Sequence, residues 1–256
     1  MKRRVYGLLL TAALTVFATI GSARAAGGLS PNPLGGDVSY PQCGQSLPSG
    51  QAFGVVGVNG GTAGNFNPCL EQELTWANTS SGFSGQPRVQ LYANTGNPGD
   101  ITPAVADWPQ TSNPLIDPYG SCAGRDNQAC SWQYGYERGY ADAATATAGV
   151  WWLDVETVNS WSTNTANNRA DLEGMTYAFT ISGSTVGVYS IPAWWSLVAG
   201  PVTSSSRLYY LPEWLPGAST QSEAKSNCRL RSFTGGGNIE LTQYTSRALD
   251  YDVSCI

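Results

Sequence analysis

Asp154 and Glu156 close the apolar run Gly149-Val150-Trp151-Trp152-Leu153. The run reads as a buried β-strand ending on two carboxylates. Side chains alternate faces along a strand, so both acids share a face with Trp152, and their Cα atoms stand roughly 6.6 Å apart, two strand rises. Acids placed there are costly unless they are paired or used. Like charges that close raise one pKa, so one group is readied as a proton donor while its neighbour stays ionised. A capping Asp beside a solvated Glu is the alternative reading of the same pair.

The chain has no histidine. That removes the Ser-His-Asp triad, the Cys-His dyad and any zinc site that needs His. Hydrolytic chemistry would have to run on carboxylates, tyrosines or a carboxylate-bound metal. One protonated carboxylic acid and one carboxylate flanking a bond is the equipment of glycoside hydrolysis. A metal-dependent phosphodiesterase would need three or more clustered acids, beyond this single Asp-x-Glu.

The elements that must position this pair begin after residue 25. Met1-Lys2-Arg3-Arg4, the apolar run Tyr6 to Ile20 and the small-x-small site Ala23-Arg24-Ala25 read as a secretory signal peptide over residues 1–25. The twin Arg leaves Sec and Tat export both open. The signal carries four of the thirteen basic residues, so residues 26–256 hold nine Lys and Arg against eighteen Asp and Glu. Such an acidic surface argues against nucleic acid and anionic membranes as partners. No second apolar segment approaches a membrane-spanning length. An exported protein is the expectation. Cys43, Cys69, Cys122, Cys130, Cys228 and Cys255 make an even count, which in an exported chain favours disulfides. Fifteen pairings are open; neighbours in sequence give Cys43–Cys69, Cys122–Cys130 and Cys228–Cys255.

Strand patterns cover Leu34 to Tyr40, Phe53 to Asn59, Arg88 to Thr95, Gly149 to Glu156, Thr185 to Ser190, Arg207 to Leu211, Cys228 to Phe233 and Ile239 to Thr245. Helical spacing covers Pro68 to Asn78, Trp132 to Ala146, Arg169 to Ile181 and Pro192 to Ala199. Gly96 to Cys130 has five prolines and no periodicity. Its place after the third strand suggests a binding loop over the cleft. Strand–crossover–strand alternation implies a parallel sheet. Eight units in about 230 residues fit one domain of class α/β, an irregular TIM-type (β/α) barrel with eight strands.

At these residues the chain resembles the glycoside hydrolase family 25 lysozymes and their secreted actinobacterial relatives. The resemblance rests on Asp37-Val38-Ser39, the Trp152-Leu153-Asp154-Val155-Glu156 strand, the aromatic third strand, Gly187-Val188-Tyr189-Ser190, and the late Gln243-Tyr244 followed by Asp. It spans Asp37 to Asp252. It implies cleavage of the β-1,4 bond between N-acetylmuramic acid and N-acetylglucosamine in peptidoglycan. It also implies Glu156 as general acid, Asp154 as the group that orients the acetamido or stabilises positive charge, and Asp37 as an acid lining the cleft. The family's late W-x-A-D-Y acid has no clean counterpart; Leu211-Pro212-Glu213-Trp214 stands nearby.

Tyr92, Asn94, Tyr189, Gln243 and Asn59 fall on faces that could reach the barrel mouth, with barrel filling as the other reading. Trp161, Trp194 and Trp214 read as residues of βα loops, where a flat ring can stack on a sugar. Asp250 and Asp252 read as turn or capping acids. The expectation is a secreted, monomeric glycosidase acting on cell-wall polysaccharide without cofactor or metal. A non-catalytic glycan-binding protein on the same barrel is the alternative, since fold alone does not separate the two.

Overall fold

The computed structural model describes residues 34–99, 107–113 and 115–256; the expected signal segment lies outside them. The strands are β1 (Leu34–Val38), β2 (Phe53–Gly57), β3 (Val89–Asn94), β4 (Val150–Asp154), β5 (Thr185–Tyr189), β6 (Glu213–Ala218), β7 (Ile239–Ser246) and β8 (Leu249–Ser254). The helices are α1 (Leu70–Asn78), α2 (Gln128–Thr145), α3 (Thr165–Ile181), α4 (Pro192–Val198) and α5 (Gln221–Asn227). The strands close into a barrel in sequence order, as expected. The described residues form one compact unit.

Two expected strands are misplaced. Arg207 to Leu211 is a turn, and the sixth strand is Glu213–Ala218. Pro216 in that strand sits where the β6–β7 register slips between Leu215 and Ala218. A proline cannot donate to a ladder, and a bulge is where a sheet tolerates one. Cys228 to Phe233 is also irregular, and the eighth strand is Leu249–Ser254. The all-parallel expectation fails at β8, which runs antiparallel to both β7 and β1. Arg247 and Ala248 link β7 to β8 with φ of 53° and 61°. Two successive positive φ values form the tight hairpin turn whose twist matches its strands, and such a hairpin must reverse direction.

The interior is filled by rings lying over glycines of the next strand. A Cβ on Gly35 would stand 2.1 Å from the Phe53 ring, one on Gly57 2.5 Å from Tyr92, and one on Gly187 2.3 Å from Trp152. Outside the barrel, α2 and α3 approach almost backbone to backbone. Side chains at Gly135 and Gly174 would meet the carbonyls of Asp171 and Trp132. Asn127 and Asn164 cap these two helices through their side-chain oxygens. All three sequential disulfides are present, with Cα separations of 5.6, 4.5 and 5.4 Å. They tie the segment after β1 to α1, the β3–α2 connection to α2, and the end of α5 to the segment after β8. No helix among the described residues is long and apolar enough to cross a membrane.

The ion pair found among the described residues, Arg138–Asp107, lies at the surface. Buried acids therefore rely on amides. Asn67 donates to Glu73 at 2.6 Å, and Asn59 donates to Asp142 at 3.1 Å. Each acid keeps a second oxygen without a donor. Burial pushes both up to about 7, against the pull of these amides. The unfolded chain sheds these protons near pH 4, before the folded one does. The stability these groups supply is then complete below about pH 4 and is lost as pH rises to about 7. Thermal melts should give a higher Tm at about pH 4.5 than at about pH 8. Asp142→Asn, which keeps an acceptor for Asn59 without the charge, should narrow that gap; an equal drop at both pH values would contradict the account.

Candidate active site

The strand ends at one face of the barrel bring four acids around a pocket of about 190 Å³: Asp37, Asp154, Glu156 and Asp250. Tyr92, Tyr189, Trp214 and Gln243 complete its lining. Period-two alternation explains the convergence. Asp154 and Trp152 point inward from β4, with Trp152 buried below. Glu156 lies just past the strand end, where the chain turns into α3.

Trp214 forms the floor. It is 1% exposed and meets Tyr189, Trp152 and Tyr92 edge-on, with ring centroids 4.6, 5.9 and 6.1 Å away. This corrects its expected loop position. It belongs to β6, and its indole N–H donates to Asp252 at 2.8 Å. A floor of rings excludes water, so charge on the acids above it is costly.

The acids meet this cost in pairs. Asp154 accepts from Asn94 Nδ2 at 2.6 Å through one oxygen, and its other oxygen has no amide or hydroxyl donor. That carboxyl is hydrogen-bonded to Glu156. Burial, then the charge of Glu156, holds Asp154 well above the usual carboxylate range. Burial also raises Glu156, while the hydrogen bond from Asp154 lowers it. The two carboxyls titrate as a pair, both held above the ordinary carboxylate range by burial. A second pair faces them. Asp252 is fully buried and hydrogen-bonded to Asp37. Burial, then the Asp37 charge, keeps Asp252 well above its ordinary value. Asp37 is pushed up to about 7 by burial and by Asp250, against hydrogen bonds from Gln243 and Asp252. A relay crosses the pocket: Tyr189 Oη donates to Gln243 Oε1 at 3.0 Å, and Gln243 Nε2 donates to Asp37 at 3.0 Å.

Three sequence candidates lie behind the lining. Asn59 is 1% exposed. Its amide donates to Asn65 and Asp142, and its oxygen accepts the Asn94 backbone N–H at 2.7 Å. With every polar atom so engaged, it braces β3 and has nothing left for a ligand. Asn94 serves Asp154. Trp161 donates to the Glu156 carbonyl at 2.7 Å and so pins the turn that carries the acid. Trp194 sits on α4, and Glu213 is buried away from the pocket on Ser232 and Thr234. The described residues of 96–130 do not line the pocket; Trp108 and Cys122 pack with Tyr134 of α2, and Tyr119 donates to Glu173 of α3. Asp250 and Asp252, expected as turn or capping acids with one of them near a cleft-closing end by the resemblance, lie respectively in the pocket lining and buried behind Asp37. Their signal was the alternation in Leu249-Asp250-Tyr251-Asp252-Val253, read as a turn. Among the described residues no group of three or more acids or cysteines is arranged to hold a metal.

The Asp37 environment is testable by carboxyl ¹³C NMR titration. Asp250→Asn should lower the Asp37 midpoint from about 7, because it removes a neighbouring charge. Gln243→Leu should raise it by removing a donor to the ionised form. Shifts in the same direction for both variants would refute this description.

No family model and no curated protein matches the sequence. Solved structures do match. A muramidase from Trichobolus zukalii aligns with TM-score 0.55 and 15% identity, over 86% of this chain and 92% of that one. A bacterial lysozyme from Streptomyces coelicolor gives 0.50 and 14%, over 87% and 92%. The Clostridium perfringens spore cortex lytic enzyme SleM gives 0.50 and 13%, over 87% and 67%. At these identities the likeness is one of fold. The chain has the irregular β/α-barrel fold of these muramidases and lysozymes, the fold that its resemblance to the family 25 lysozymes implied.

Proposed function

We propose that this protein is a secreted glycoside hydrolase that cuts the β-1,4-linked glycan of bacterial cell walls, acting as an N-acetylmuramidase outside the cell. The observation that carries this reading is the convergence of Asp154 and Glu156 with Asp37 and Asp250 over the buried Trp214 ring in one pocket at the mouth of the barrel. Three disulfides fit an oxidising compartment, and the acidic composition fits a monomer working on polysaccharide rather than on nucleic acid.

Glu156 is the more accessible of the pair and faces the opening, so it is the group that meets the glycosidic oxygen. Glu156 gives its proton to the leaving oxygen as the glycosidic C–O bond breaks, and water completes the hydrolysis at the sugar carbon. Both carboxyls are then ionised at the moment the sugar ring carries positive charge. A dianion beside that cation is favourable, whereas in the empty cleft it is not. Asn94 holds Asp154 in place for this exchange. Asp37, held by Gln243 and Asp252 across the pocket, is placed to orient the sugar.

General acid catalysis contributes roughly 10²–10⁴-fold, so Glu156→Gln should lower turnover by about that factor while glycan binding persists. Asp154→Asn should also lose rate. Its alkaline pH limb should move to lower pH, because loss of the Glu156 proton then no longer leaves two carboxylates side by side. The assay is release of new reducing ends from purified peptidoglycan. Wild type that binds glycan and releases none is a binding protein on a hydrolase fold. Full activity in Glu156→Gln moves the acid to another residue.

A further inference from the structure

Arg169, Glu173 and Tyr177 are spaced four apart on α3 and share one face of that helix. Over the first two lies a cavity of about 350 Å³, closed by the β3–α2 connection, the start of α2 and the α4–β6 connection. It shares no lining residue with the carboxyl pocket. Arg169 and Arg207 both line it. They are two of the nine cations in residues 26–256, set against eighteen acids. Among the described residues neither has a carboxylate within ion-pair distance; the ion pair found there is Arg138–Asp107.

Each guanidinium is held by something other than an acid. Arg169 Nη1 donates to the Ala199 carbonyl, which occupies one of its several N–H donors. Gly200, at φ +63°, keeps that approach open, since a Cβ there would stand 3.3 Å from the same nitrogen. The Arg207 guanidinium lies over the Tyr177 ring, 5.2 Å from its centroid. Glu173 lines the cavity too, but Tyr119 Oη and Ser206 Oγ donate to its two oxygens. The acid nearest the arginines is thus engaged by hydroxyls, which also strap both connections to α3. Thr203 and Ser205 hydrogen-bond to each other at 2.8 Å, which leaves one hydroxyl proton of the pair to donate elsewhere. Gln128 adds a side-chain amide.

We propose that this cavity binds a phosphate group carried on a sugar. A phosphate monoester brings about −1.5 to −2 charges at pH 7 to the two guanidiniums, and its oxygens accept from several directions at once. Donors reach the cavity from α2, from α3 and from the α4–β6 connection, an arrangement that suits a tetrahedral anion better than a planar carboxylate. The chain as a whole is acidic and repels a long polyanion, so the site fits one phosphate on an otherwise neutral carrier. The cavity is also larger than a phosphate alone fills, which leaves room for part of that carrier. The choice of a sugar as carrier rests on the cell-wall reading above; the anion site does not.

The test is calorimetry at low ionic strength with N-acetylglucosamine 6-phosphate, unmodified N-acetylglucosamine, inorganic phosphate and galacturonate. The sugar phosphate should bind and the unmodified sugar should not. Arg207→Gln should weaken sugar-phosphate binding about tenfold. Arg207→Lys, which keeps the charge and loses the planar fork, should weaken it less. Arg229→Gln removes the same charge from the segment after α5 and should leave the affinity unchanged. Equal weakening by Arg207→Gln and Arg229→Gln reduces the effect to surface charge and overturns the site. Galacturonate bound as tightly as the sugar phosphate overturns the phosphate assignment, and inorganic phosphate bound as tightly overturns the sugar carrier. Reducing-end release from peptidoglycan is read separately. Cleavage by a wild type that binds no sugar phosphate overturns this site alone. Sugar-phosphate binding that is lost in Arg207→Gln, in a wild type that cleaves nothing, supports the site and overturns the hydrolase reading.

Discussion

A carboxyl group taken out of water without a cation beside it must keep its proton or share one. This chain meets that constraint repeatedly. The described ion pair is a surface contact, while Asp154, Asp252, Glu73 and Asp142 are buried against amides, indoles and other carboxyls. Amide donors are numerous enough to hold these acids in place and too weak to make them strong acids. In the pocket this sets two pairs of neighbouring carboxyls, Asp154–Glu156 and Asp37–Asp252, whose burial raises them above the ordinary carboxylate range. A salt bridge to Arg would have held each acid ionised and spoiled it as a donor. With no histidine in the chain, protonated carboxyls are the proton source available near neutral pH.

The barrel interior creates the dryness on which those pairs depend. Rings of Phe53, Tyr92 and Trp152 fill space that glycines on adjacent strands leave open. Each ring can then lie close to the strand wall, and Trp214 takes the centre. Packing of this kind allows little adjustment. A methyl group at Gly187 would displace an indole, and overpacking typically costs about 1–3 kcal/mol. The same rings deny water to the acids above them, so the stability of the barrel and the proton affinity of the site rest on one set of contacts.

Much of this was readable from residue types. The strand closing on Asp154 and Glu156 announced itself by apolar content and period, Tyr92, Tyr189 and Gln243 followed from alternation within well-formed strands, and Asp37 came from the resemblance to the family 25 lysozymes. The pairing of cysteines by sequence neighbourhood matched the disulfides. The failures have physical causes. Arg207 to Leu211 has a strand-like pattern but precedes Pro212 and folds as a turn, while the true β6 contains Pro216 and Gly217, residues that ordinarily argue against a strand. Asn59 looked like a mouth residue because its strand face is correct; only the fold shows Asp142 and the Asn94 backbone closing over it. Arg247-Ala248 carries none of the Asn-Gly or Asp-Gly chemistry that usually marks a tight hairpin, so the reversal into β8 had no local signature.

That reversal decides the shape of the site. In a parallel barrel, functional residues stand at the C-terminal ends of strands. An antiparallel β8 presents its beginning to the same face. Asp250, the second residue of β8, therefore lies opposite Asp37, and Asp252 sits one step deeper, opposite Gly35. Had β8 run parallel, the end facing the pocket would have been Val253 and Ser254, and Asp37 would have had neither the neighbouring charge that raises it nor the buried Asp252 carboxyl beside it. The second carboxyl pair is thus a consequence of strand direction, set by two residues with positive φ that carry no chemistry of their own.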